Sequence, residues 1–133
     1  MTDKTFLILK PDCVKRKLTG EIISRIERKN LTITKMEMRV LDREDLELHY
    51  EEHKDKPFFS GMVDFMAGGP VVILQVEGRE VQKVMRTLIG ATDPVAAEAG
   101  TIRGDFGIDF SESLIHGSDS PESAEREINI FFK

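Results

Sequence analysis

The apolar positions of this chain fall into two rhythms. Continuous runs at Phe6-Leu7-Ile8-Leu9 and Val71-Val72-Ile73-Leu74-Gln75-Val76 predict strands covered on both faces, the second rich in β-branched residues. From Leu31 to Leu41 the pattern alternates, with Met36, Met38 and Val40 on one side and Lys35, Glu37 and Arg39 on the other, which predicts a half-exposed strand. Helical spacing marks the rest. Ile22, Ile23 and Ile26 share a face behind Thr19, a residue able to cap that helix. Leu46, His49 and Tyr50 recur in a second helix begun at Asp42, and Lys56-Pro57 opens a third with Phe58, Phe59, Met62, Val63, Phe65 and Met66. Two adjacent aromatics cannot share one helical stripe, so one of Phe58 and Phe59 should face outward or lie against a ligand. Val81, Val84, Met85 and Leu88 line a fourth helix that ends at Gly90.

Breaks are equally clear. Lys10-Pro11-Asp12 stops the first strand and Gly68-Gly69-Pro70 ends the third helix. Gly90 to Phe110 reads as one long irregular segment, a length that in a small domain points to function or disorder. A short strand at Leu114-Ile115 follows, and Ser120-Pro121 starts a last helix with Ala124, Ile128 and Phe131 inside. The order is strand, helix, strand, helices, strand, helix, loop, strand, helix. It predicts a single domain over residues 1–133 of α/β (α+β) class, a ferredoxin-like sandwich with a small antiparallel sheet covered by helices.

Composition narrows the function. The 133 residues suffice for one core; they are 40% hydrophobic and 32% charged with net charge -5, an ordinary globular balance. A mildly acidic chain is a poor general nucleic-acid binder, so any affinity for phosphate must be local. The lone Cys13 excludes an internal disulfide and a cysteine-rich metal site. Met1-Thr2-Asp3-Lys4-Thr5 carries no apolar signal region and no run reaches bilayer length, so a cytoplasmic protein without a membrane partner is expected.

The candidate chemistry centres on His116-Gly117-Ser118-Asp119-Ser120. Imidazole is a good nucleophile near neutral pH when one nitrogen is free and the other is held. Gly117 leaves the approach open, and Ser118 or Glu127 can hold the ring. Local pattern alone fits equally a half-buried strand histidine followed by a helix cap. Lys10 stands where a strand gives way to a loop and could offer a point charge to a phosphate. Arg86 points away from its helix's buried stripe, about 140° round from Val81. Thr92 and Arg103 lie in the long loop. His49 and His53, four apart on a helix, could bind a metal but show no third ligand; two solvated histidines are the plainer reading.

Together these motifs resemble the nucleoside diphosphate kinase family. The matching pieces are Lys10-Pro11-Asp12, His49-Tyr50 with Pro57-Phe58-Phe59, Gly68-Gly69-Pro70, Gly90-Ala91-Thr92-Asp93-Pro94, Gly100-Thr101-Ile102-Arg103 and the histidine motif, in the family's order from about Lys4 to Phe132. The resemblance implies a ping-pong transfer of a γ-phosphate from a nucleoside triphosphate to a diphosphate through a phosphohistidine on His116, attacked through Nδ1. By the same resemblance, Ser118 and Glu127 orient the imidazole, and Lys10, Tyr50, Arg86, Thr92 and Arg103 surround the phosphates and the sugar 3′-hydroxyl. Phe58 is the aromatic on which the base stacks, a grip that tolerates any base. Mg²⁺ is expected with ATP and other nucleoside tri- and diphosphates, because the sequence offers no cage of carboxylates. Ser113 stands where relatives have an asparagine to the sugar; being shorter, it predicts a weakened or water-bridged contact. Cys13 replaces a small glycine or alanine and is expected to pack. A homo-oligomer is implied, as dimer, tetramer or hexamer. Two rivals share the fold: a nucleotide-binding regulatory module without turnover, and a protein-histidine phosphotransfer enzyme.

Overall fold

The computed structural model describes residues 3–133; Met1 and Thr2, part of the amino-terminal segment read above, lie outside the described residues. The chain runs β1 (Asp3–Leu9), α1 (Pro11–Lys15), α2 (Thr19–Arg28), β2 (Thr32–Arg39), α3 (Arg43–His49), a 3₁₀ turn (Glu51–His53), α4 (Phe59–Ala67), β3 (Val71–Gly78), α5 (Val81–Ile89), α6 (Ile102–Phe106), β4 (Ile115–Gly117) and α7 (Pro121–Phe131). The four strands form one antiparallel sheet in the order β2-β3-β1-β4, the ferredoxin-like arrangement.

The uninterrupted apolar runs follow from the sheet's two covers. Leu7 and Leu9 on β1, with Val72, Leu74 and Val76 on β3, pack with Ile22 and Ile26 of α2 and Val81, Met85 and Ile89 of α5. The alternate residues Phe6, Ile8, Val71 and Ile73 meet Leu46 of α3, Val63 and Met66 of α4, and Ile130 and Phe131 of α7. Phe6 and Phe131 stack with centroids 5.4 Å apart. Cys13 is buried in the first of these clusters, so it packs as expected, and burial with nearby Asp12 pushes its thiol up to about 11.

Several local expectations are corrected. Leu18, not Thr19, occupies the N-cap of α2, and no side chain caps it. Pro11 opens a short helix instead of merely ending β1. The long segment contains α6, capped by Thr101 Oγ1, which accepts from the Gly104 amide at 3.0 Å. The last strand begins at Ile115 and includes His116, and Leu114 before it adopts the left-handed region at φ 72. In α7 the buried set is Ala124, Glu127, Ile130 and Phe131, with Ile128 only half-buried.

β2 differs most. It is an edge of the sheet, and Met36, Met38 and, just past it, Val40 are 58%, 59% and 56% exposed, so among the described residues nothing covers that stretch of its apolar side. No helix of the described residues is long and apolar enough to cross a membrane.

Candidate active site

Directly paired residues of adjacent strands point to the same face, and His116 pairs with Ile8. That register turns the imidazole to the face covered by α3, α4 and α7, where Glu127 projects from α7. The Ser120 hydroxyl starts that helix by accepting from the Ser123 amide at 3.1 Å. His116 Nε2 lies 2.7 Å from Glu127 Oε1, and the Ser118 hydroxyl donates to the same oxygen at 2.7 Å. Ser118 is itself fixed, its amide donating to the Phe6 carbonyl at 3.0 Å.

Burial alone would push the Glu127 carboxyl up. The hydrogen bond and charge of His116, with Ser118 and His49, outweigh it and hold the group below the usual carboxylate range. The carboxylate accepts the Nε2 proton, so Nδ1 keeps its lone pair. The His116 side chain is 26% exposed, enough for a reactant to reach it. Gly117 leaves room on its other side for Ile89, whose Cδ1 would lie 2.8 Å from a Cβ there and would have to shift to admit one.

His116, Arg86, Thr92, Arg103 and Ser118 line one cavity of about 270 Å³. Arg103 is anchored by Nη2 donating to the Ile115 carbonyl at 2.6 Å, while its Nε is buried without a partner. Burial holds its pKa below the ordinary value, with Asp119 pulling the other way. A half-buried guanidinium bonded to the protein through one nitrogen suits an incoming anion. Arg86 is exposed, with Nη2 3.5 Å from Asp119 Oδ1. Thr92 is exposed at the cavity wall.

Lys10, Tyr50 and Phe58 line a second cavity of about 930 Å³, together with Phe65 and Phe110. Phe58 is 50% exposed while Phe59 packs inward, which resolves the paired aromatics as expected. Phe110 escaped sequence reasoning; its one signal was an aromatic closing a glycine-rich stretch. Burial pushes the Lys10 ammonium below its ordinary value, opposed by Asp12, and pushes Tyr50 up to about 12 with help from Glu127. Lys10 Nζ donates to Ser113 Oγ at 2.9 Å and reaches the Ser111 carbonyl at 3.5 Å. Ser113 is buried behind that lysine and lines neither cavity.

His49 is the residue whose setting was least expected. Its ring stands edge-on to His116 with centroids 4.9 Å apart, and its Nδ1 is 4.0 Å from Glu127 Oε2. Burial, then the neighbouring His116, lower its pKa to about 3, so it is neutral. His53 instead turns to Lys56 at 3.1 Å and Glu52 at 3.5 Å.

Comparison with known proteins places this geometry. The profile described as "Nucleoside diphosphate kinase" matches residues 3–133. A nucleoside diphosphate kinase of Streptomyces coelicolor is 59% identical over 133 residues, covering 99% of this chain and 97% of the relative. One from Thermobifida fusca is 55% identical over 130 residues, with 98% and 96% covered. The structure of a halophilic nucleoside diphosphate kinase from Halobacterium salinarum in complex with CDP superposes with TM-score 0.96 at 44% identity, over 100% of this chain and 89% of that one. The apo enzyme from Encephalitozoon cuniculi gives 0.94 at 43% identity, over 97% and 88%.

Proposed function

The chain belongs to the nucleoside diphosphate kinase family, and on that premise we propose how its residues carry out the family's reaction. It is a phosphotransferase that moves a γ-phosphate from a nucleoside triphosphate to a nucleoside diphosphate through a phosphohistidine. His116 Nδ1 attacks the γ-phosphorus, the bond to the β,γ-bridging oxygen breaks, and the first diphosphate leaves. A terminal oxygen of the second diphosphate then attacks the same phosphorus and restores the imidazole.

Attack turns the ring into a cation with its proton still on Nε2. Glu127 faces that proton at 2.7 Å, so it stabilises the charge where it develops. Arg103 and Arg86 neutralise the phosphate oxygens, and Thr92 adds a neutral donor. Lys10 and Tyr50 border the sugar and the leaving oxygen, with Ser113 reaching the nucleotide only through Lys10. Phe58 stacks the base, and Phe110 in the same cavity supplies a second apolar wall.

Divalent metal would arrive as part of the substrate, and Mg²⁺ is the ion we assign; it would spread the charge of the nucleotide's phosphates. The cavity of His116 offers one carboxylate, Asp119, and no oxygen cage. The edge of β2, with Met36, Met38 and Val40 bare, supports a homo-oligomer of dimeric, tetrameric or hexameric form; mass in solution tests it. Cytoplasmic location, a single domain, and no membrane or general nucleic-acid partner are in keeping with the acidic chain and its lone cysteine.

The observation that carries the reading is one carboxylate oxygen holding both the histidine and the serine, with a half-buried arginine lining the same cavity as that histidine. Incubation with γ-labelled ATP and Mg²⁺ tests it. An acid-labile label discharged by added GDP is expected; absence of uptake would favour a binding module, and a label held until a protein acceptor is added would favour a protein phosphotransferase.

A further inference from the structure

We propose that His49, His116 and Glu127 form an inhibitory binding site for a divalent transition metal of zinc type, on the side of the imidazole away from the phosphate. Each residue offers one ligand atom, and these atoms all lie within 4.8 Å of one another. Two imidazoles and a carboxylate are the donor set of three-ligand zinc sites with an open fourth position; magnesium and calcium prefer oxygen alone.

Three further observations point the same way. His49 Nδ1 is buried without a hydrogen-bond partner and sits 4.0 Å from Glu127 Oε2, beyond hydrogen-bond reach, so neither atom satisfies the other. A cation between them satisfies both. The cluster is reached through a cavity of about 440 Å³ that adjoins the one holding Arg86 and Arg103, the two sharing His116 and Asp119 in their linings. Its lining adds Glu51, Glu52 and Asp119 against Arg126, a negative balance that draws in a dication. A zinc site spaces its ligand atoms about 3.3 Å apart for bonds near 2.0 Å, so separations of up to 4.8 Å close by at most about 1.5 Å through side-chain rotation.

The inhibitory effect follows from where the ring proton must sit. In the metal-free protein, Nε2 carries it toward Glu127 and Nδ1 has the free lone pair. A metal on Nε2 takes that nitrogen's lone pair, so the same proton moves to Nδ1 and no proton leaves the ring. The nucleophile is then capped by hydrogen and cannot attack phosphorus. This inhibitory half rests on His116 being the nucleophile; metal binding itself does not.

The test uses the metal-free full chain, calorimetric titration with zinc chloride, and ¹⁵N spectra of the histidine rings without nucleotide. One zinc per chain is expected, with His116 passing from the Nε2–H to the Nδ1–H tautomer, a readout that needs no variant. His49→Gln should weaken zinc binding by more than about 100-fold, beyond the roughly 10- to 100-fold that loss of an outer-shell partner costs. Labelling from Mg·ATP at buffered free zinc should fall in proportion to occupancy. Equal zinc affinity in both proteins, or binding that leaves the tautomer unchanged, overturns the site. Protein that labels normally without metal yet binds no zinc overturns the site and leaves the kinase reading intact. Zinc that binds and shifts the tautomer while labelling continues overturns the inhibitory role and the choice of nucleophile with it.

Discussion

Replacing Glu127 by glutamine removes one charge and almost no volume. In the native protein Oε1 accepts two bonds of 2.7 Å, from His116 Nε2 and from the Ser118 hydroxyl. The serine has a fallback in the Phe6 carbonyl 3.2 Å away, so the fold keeps its local partners. What the amide cannot supply is negative charge opposite a ring that becomes cationic as phosphorus is attacked. A hydrogen bond to a charged group contributes about 1.5–3 kcal/mol, and this one strengthens in the transition state, so phosphoenzyme formation should slow by about 10- to 150-fold. Glu127 lines neither the arginine cavity nor the aromatic one, so nucleotide dissociation constants should stay within about twofold. Quench-flow single turnovers with labelled Mg·ATP separate the two quantities. A rate within about twofold of native, or a loss confined to nucleotide binding, would refute the role given to the carboxylate.

Two other substitutions probe the surroundings. Ser113→Ala removes the acceptor 2.9 Å from Lys10 Nζ and should raise KM for the triphosphate about 3- to 10-fold, the worth of roughly 1 kcal/mol, while Ser113→Asn restores it; steady-state kinetics unchanged in the alanine variant would contradict the link. His49 has a folded pKa near 3 against about 6.5 unfolded, so the unfolded chain binds the proton first. Its contribution is complete above about pH 6.5 and falls toward pH 3, by up to about 1.4 kcal/mol per pH unit. Urea midpoints at several pH values should therefore fall less steeply for His49→Phe than for the native protein, and an identical slope would contradict it.

Features set by neighbouring residues were legible in the sequence. β1 and β3 show as continuous apolar runs because both faces are covered, and the histidine motif marks a strand-to-helix turn. That one of Phe58 and Phe59 faces outward followed from helical geometry, and the resemblance named Phe58. Features set by distant residues were not. Alternation in β2 separates two faces but cannot say that Met36 and Met38 on the apolar one stay exposed. The pairing of His49 with Glu127 joins α3 to α7, which no local spacing encodes. Ser113 as a support for Lys10 likewise needs β1 and the segment before β4 brought side by side. α6 was hidden because five residues with an internal glycine carry too little helical periodicity.

The central claim is that one nitrogen of one ring, Nδ1 of His116, carries the phosphate while Nε2 stays with Glu127. The most direct measurement is the coupling between ³¹P and ¹⁵N in phosphoenzyme made from Mg·ATP with ¹⁵N-labelled histidine. A single phosphorus coupled to Nδ1 of His116, with its proton on Nε2, and lost on adding GDP, is the expected result. Phosphorus on Nε2, on another residue, or on no residue at all would contradict it.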